Sequence, residues 1–178
     1  MKQKPRLATV WLGGCSGCHM SFLDLDERLA ELAGRVDLMA SPLTDHKEFP
    51  EADITLVEGA VANSDHLEQI TLIRERTKIL VSFGDCAVTG NVTAMRNAFG
   101  VQDVLNACYL ENTATVAGIP GGPNPVVPSL LERVRPVHEV VAVDYYLQGC
   151  PPPAGEIYDL VMDLLDGRKP RIDGRRFG

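Results

Sequence analysis

The sequence predicts an α/β fold, a parallel sheet covered by helices on both faces. Three observations carry that expectation. Short apolar runs recur along the chain, among them LATVWL, DITLV and KILVSF. Between them lie segments whose apolar residues fall three and four apart, the period of a helix with one buried face. Gly- or Pro-marked loops end most of these elements. Strands alternating with helices imply crossover connections, and these build parallel sheets.

Taken in order, Leu7–Leu12 reads as a first buried strand, cut off by Gly13 and Gly14. A helix follows, with Phe22, Leu25, Leu29 and Leu32 at helical spacing and Gly34 as its stop. Val36–Ala40 is a short second strand. Asp53–Val57 is a third, ending at Glu58 and Gly59. Ser64 caps a helix whose Leu67, Ile70 and Ile73 share a face, with Asp65 and Glu68 in the first turn, where the helix dipole favours acids. Lys78–Phe83 is a fourth strand ended by Gly84, and Asp85 caps a helix running to about Asn97. Glu139–Tyr145 contains a fifth strand. Ile157, Leu160, Val161, Leu164 and Leu165 form the stripe of a C-terminal helix. The expected strand order is flavodoxin-like, in a single domain over residues 1–178. Ligands of such sheets sit beyond the carboxyl ends of the strands, near a switch point. Ile119–Pro128 has four prolines and two glycines in ten residues, which excludes helix and interior strand. It reads as a stiff connection, or as a surface that docks another protein.

Composition narrows the function. The chain has 178 residues, 45% of them hydrophobic, enough for one core without disulfides. The net charge is −7 and Lys and Arg are not clustered, which argues against nucleic acid as a partner. No apolar run reaches the roughly 18 residues that span a bilayer, so no membrane is expected. LATVWLGG is too short for a signal-peptide core, and Arg175 and Arg176 lie at the wrong end for export. A cytoplasmic location follows, where thiols stay reduced. Five cysteines also make a poor disulfide framework.

Four of those cysteines sit where an apolar run gives way to a Gly- or Pro-marked loop: Cys15 and Cys18 in GGCSGCHMS, Cys86 in SFGDCAVTG, Cys150 in QGCPPP. Gathered at one sheet edge, four thiolates bind a metal or an iron–sulfur cluster. Flanking glycines supply backbone amides that can donate to cluster sulfurs. Zinc fits less well, because structural zinc usually has two paired ligand spacings and this chain has one. A non-catalytic metal-binding scaffold and a dithiol oxidoreductase on Cys15 and Cys18 stay open as rivals. Cys108, in NACYLEN, reads as a small buried hydrophobe.

The blocks WLGGCSGCHMS, VEG, GDCAVTGNV and GCPP, in this order from Trp11 to Pro153, resemble the small subunit of nickel–iron hydrogenases. The resemblance implies a flavodoxin-like domain holding one 4Fe-4S cluster on Cys15, Cys18, Cys86 and Cys150. It implies that the nickel–iron centre belongs to a separate large subunit and that this chain alone catalyses nothing. Membrane-bound and periplasmic relatives carry a twin-arginine leader and a cysteine-rich C-terminal domain, which this sequence lacks. The likeness is therefore to the short, single-cluster type of cytosolic NAD-reducing enzymes. A complex I subunit shares the fold and the GCPP block but has adjacent cysteines in its first motif, from which Cys15 and Cys18 depart. In the implied sequence of events, electrons from dihydrogen pass from the large subunit to the cluster. They then pass to a diaphorase module with flavin and further clusters, which reduces NAD.

The remaining candidates are weaker. Glu58 follows the third strand at the same edge, and the resemblance places it near the large-subunit interface. It is a candidate proton relay or cluster-side partner, against an exposed loop carboxylate. His19 is a sulfur or interface partner, against a solvated histidine. Trp11 is expected in the core. Asp24, Asp26, Glu27 and Arg28 form a solvated helix face, and His46, His66 and His138 are surface residues. The fold permits FMN near the same edge. However, the first loop holds Cys15 and Cys18 rather than a run of hydroxyl residues suited to a phosphate, so FMN is unsupported.

Overall fold

The computed structural model describes residues 4–44, 48–111, 118 and 127–172. In chain order its strands are β1 (Arg6–Trp11), β2 (Asp37–Ala40), β3 (Ala52–Glu58), β4 (Val61–Asn63), β5 (Thr77–Phe83), β6 (Leu130–Arg135) and β7 (Tyr145–Leu147). Its helices are α1 (Gly17–Leu23), α2 (Glu27–Arg35), α3 (Ser64–Glu75), α4 (Asp85–Thr89), α5 (Asn91–Ala94), α6 (Val101–Tyr109) and α7 (Ala154–Leu165).

Five strands form one sheet in the order β2-β1-β3-β5-β7. Every neighbouring pair is parallel, which is the flavodoxin-like arrangement. β3 lies at the centre, and all its residues but Asp53 are buried, because helices cover both faces of a parallel sheet. Successive side chains point to opposite faces. Leu56, Val81 and Phe83 therefore pack with Leu32, Ile157, Leu160 and Val161 on one side. Val57 and Leu80 pack with Ile70, Ile73 and Val137 on the other.

Several local expectations are corrected. The first helix is two: α1 ends at Leu23, and Asp26 stands at φ 51° before α2 begins. Asp tolerates this left-handed backbone better than most residues, and the turn still buries Leu25. Gly34 lies inside α2, which runs on to Arg35. Asn63, not Ser64, caps α3, its Oδ1 accepting from the His66 N–H at 2.8 Å. Gly84, not Asp85, is the N-cap of α4, and Gly90 in the left-handed region ends that helix well short of Asn97. The fifth strand is β7 and starts where the expected segment ends. Val140, Val141 and Val143 instead pack from irregular chain against the second core cluster. A small antiparallel pair, β4 with β6, was not foreseen. The segment 119–126 and His46 lie outside the described residues.

Candidate functional site

The site is built from four loops at the carboxyl ends of β1, β3, β5 and β7. The β1 and β3 loops are tied first: Gly13 N–H donates to the Ala60 carbonyl at 2.9 Å and Ala60 N–H returns to the Gly13 carbonyl at 2.7 Å. This is the switch point, where strand order reverses. The β5 and β7 loops are tied the same way. Asp85 N–H donates to the Gly149 carbonyl at 2.9 Å, and Gly149 N–H donates to Asp85 Oδ1 at 2.7 Å. Two ties cross between these pairs. Ser21 on α1 donates to the Pro152 carbonyl at 2.6 Å. Thr93 on α5 donates to the Gly13 carbonyl at 2.8 Å.

These ties bring Cys15, Cys86 and Cys150 into electrostatic reach of Cys18, and Cys15 and Cys150 into reach of Cys86. Cys18 and Cys86 are buried, and Cys15 and Cys150 are exposed. Burial pushes the Cys18 thiol up, and the Glu58 carboxylate and the other three thiols push the same way. Burial also pushes Cys86 up, opposed by a hydrogen bond from the Val92 amide. Four thiolates here repel and need positive charge among them. The loops leave room for the sulfurs. A Cβ on Gly84, itself at φ +82°, would lie 2.1 Å from Cys18 Sγ. Among the described residues no group of three His, Cys, Asp or Glu side chains is arranged to hold a single metal ion.

Glu58 is not an exposed loop carboxylate. It is the last residue of β3 and 2% exposed. It accepts from the Cys18 N–H at 3.3 Å and the His19 N–H at 2.9 Å, first-turn amides of α1 that have no partner within the helix. It also pairs with His19 Nδ1. His19 is buried rather than solvated, and its Nε2 has no hydrogen-bond partner among the described residues. Its ring meets those of Trp11 and Phe83 edge-to-face.

Other expectations fare unevenly. Trp11, expected in the core, is 40% exposed, since β1 ends there at the rim of the site. Cys108 is exposed on α6, not buried. His66 is half-buried, its Nδ1 accepting from the Ala62 N–H at 3.3 Å, and burial pushes its pKa down. His138 and the Asp24–Arg28 face are exposed apart from buried Leu25. A cleft of about 550 Å³ between β1 and α3 is lined by Trp11 but by none of the cysteines. The sequence reading missed Asn91, whose Nδ2 lies 3.4 Å from Cys150 Sγ.

A flavodoxin-like sheet with four cysteines along its carboxyl edge defines a class of small oxidoreductase subunits. The chain belongs to the family described as NADH ubiquinone oxidoreductase, 20 Kd subunit, whose profile matches residues 15–164. It is 43% identical over 170 residues to the NAD-reducing hydrogenase HoxS subunit delta of Cupriavidus necator, covering 93% of this chain and 80% of that one. It is 36% identical to a subunit of the F420-non-reducing hydrogenase of Methanothermobacter marburgensis, spanning 95% of this chain but only 56% of that relative. A crystal structure of an NAD-reducing nickel–iron hydrogenase in the dihydrogen-reduced state holds a chain with TM-score 0.93 and 43% identity. That match covers 99% of this chain and 100% of the other. A nickel–iron–selenium hydrogenase of Desulfomicrobium baculatum, at TM-score 0.57 and 16% identity over 97% of this chain and 68% of that one, shares the fold alone. No helix among the described residues is long and apolar enough to cross a membrane.

Proposed function

We propose that this chain is the electron-transfer small subunit of an NAD-reducing nickel–iron hydrogenase, holding one 4Fe-4S cluster on Cys15, Cys18, Cys86 and Cys150. Its partners in this reading are a large subunit with the nickel–iron centre and a diaphorase module with flavin and clusters, in the cytoplasm. One domain over residues 1–178 carries the site. The carrying observation is the mutual reach of the four thiols at the switch point, with glycine space beside Cys18.

The donor set fits the group. All four ligands are sulfur, as such clusters require. Structural zinc usually has two paired ligand spacings, and this chain has one, Cys15 and Cys18. When bound, the cluster supplies one-electron storage. The protein's own share is to position and shield. The reciprocal Asp85 and Gly149 bonds hold Cys86 and Cys150 together. Glu58 fixes the start of α1 and with it Cys18. Exposed Trp11, Met20 and Leu23 give this rim apolar surface suited to a protein partner.

Glu58 and His19 also form a buried carboxylate–imidazole pair beside Cys18, where a proton relay would run. Unchanged turnover and cluster spectra in Glu58→Gln would end that role. The whole reading is tested by purifying the chain with its partners and assaying dihydrogen-dependent NAD reduction. Reduction that disappears on replacing the cysteines is expected. An active complex without this chain would refute the reading.

A further inference from the structure

We infer that Asn91 is a positioning residue for the cluster, acting through Cys150: its side-chain N–H donates a hydrogen bond to the Cys150 sulfur and so raises the reduction potential. This rests on the cluster reading above.

The turn after α4 is shaped for the task. Gly90 stands at φ +85° and Asn91 at φ +34°, and α5 starts at Asn91. A Cβ on Gly90 would lie 2.8 Å from Ala94 Cβ, while Asn accepts the left-handed region more readily than most residues. From there the Asn91 side chain reaches Cys150 Sγ at 3.4 Å. The Val92 amide and the Thr93 side chain both act to hold the Cys86 thiol down against the effect of its burial. The Thr93 hydroxyl donates to the Gly13 carbonyl and anchors the turn to the first cysteine loop.

The opposite edge has the opposite sign. There Cys18 faces the buried carboxylate of Glu58. An N–H aimed at a cluster sulfur stabilises the more negative, reduced state, and a buried anion opposes it. Added negative charge is therefore favoured at Cys150 over Cys18.

The test uses the full chain with its cluster assembled, titrated against potential and read by the electron spin resonance of the reduced cluster. Asn91→Gly removes the donor and leaves the left-handed backbone unstrained. Asn91→Asp replaces the donor by an acceptor of the same shape. The midpoint is expected to fall from wild type to Asn91→Gly and further in Asn91→Asp. At a potential that half-reduces the wild type, the reduced fraction falls severalfold. Equal midpoints at full iron content would overturn the inference. Should the variants not load, wild-type chain labelled with nitrogen-15 asparagine decides. A nitrogen coupling to the reduced cluster is expected, and its absence overturns the inference. A wild-type chain that takes up neither iron nor sulfide overturns the cluster reading, and this inference with it.

Discussion

At the amino ends of the strands, Asp53 holds β1 and β5 against β3: it pairs with Arg6 at 3.4 Å and with Lys78 at 2.8 Å and accepts the Arg6 N–H at 2.8 Å. At the carboxyl ends the same three strands run into Gly13 and Gly14, Gly59, and Gly84. Ser16, Gly59, Gly84, Gly90, Asn91 and Gly149 all stand at positive φ there. One end is closed by ordinary side-chain pairs. The other carries unusual backbone conformations, buried thiols and a buried carboxylate. Such features lower stability and persist where the surrounding structure holds them for function. The contrast fits the proposed cluster at the carboxyl edge, while the amino edge serves the sheet itself.

Substitutions at the two ends should therefore differ in kind. The largest effect is expected from Gly84→Ala. The new Cβ would collide with Cys18 Sγ on a left-handed backbone, costing about 3 kcal/mol from strain and overpacking together. Iron content should fall at least tenfold. Chemical denaturation with iron analysis checks both, and a fully loaded, stable variant would break the contrast.

Glu58→Gln comes next. It leaves one acceptor oxygen for the Cys18 and His19 amides and brings an NH₂ to face them, an expected loss of about 2 kcal/mol. Urea unfolding measures it. At the amino edge, Asp53→Asn should cost only about 1 kcal/mol at pH 7 and leave iron content unchanged. Burial pushes the Asp53 carboxyl up, but hydrogen bonds from Lys78 and Arg6 pull it further down, well below the usual carboxylate range. A depressed folded value means stabilisation that is fully present at neutral pH and lost as pH falls through the carboxylate range. The gap between wild type and Asp53→Asn should close on acidification, which unfolding curves at several pH values would follow. The smallest effect belongs to Cys108→Ser, exposed on α6. It should stay within about 0.5 kcal/mol, with iron content equal to wild type.

The two ends were also unequally legible in the sequence. The runs that became β1, β3 and β5 are mostly apolar, so their burial and parallel pairing were plain. The cysteines stand directly after strands, and a parallel sheet gathers such positions at one edge. The later chain misled. Val140, Val141 and Val143 look like strand residues yet pack from irregular chain, because tertiary contact can bury apolar side chains without a ladder. The break at Asp26 and the exposure of Trp11 depend on how α1 meets the sheet, which no local pattern records. Asn91 lay unnoticed inside GDCAVTGNV. Its partner is Cys150, far along the chain, and only the turn at Gly90 brings them together. Glu58 was seen as a candidate, but its burial was not, since that depends on α1 folding over the end of β3.

The most direct measurement is the iron, labile sulfide and zinc content of the anaerobically prepared full chain, beside a Cys86→Ser/Cys150→Ser variant. About four irons and four sulfides per chain are expected for the wild type, with a near-complete loss in the double variant. A single zinc, or iron and sulfide kept without those two sulfurs, would contradict the account.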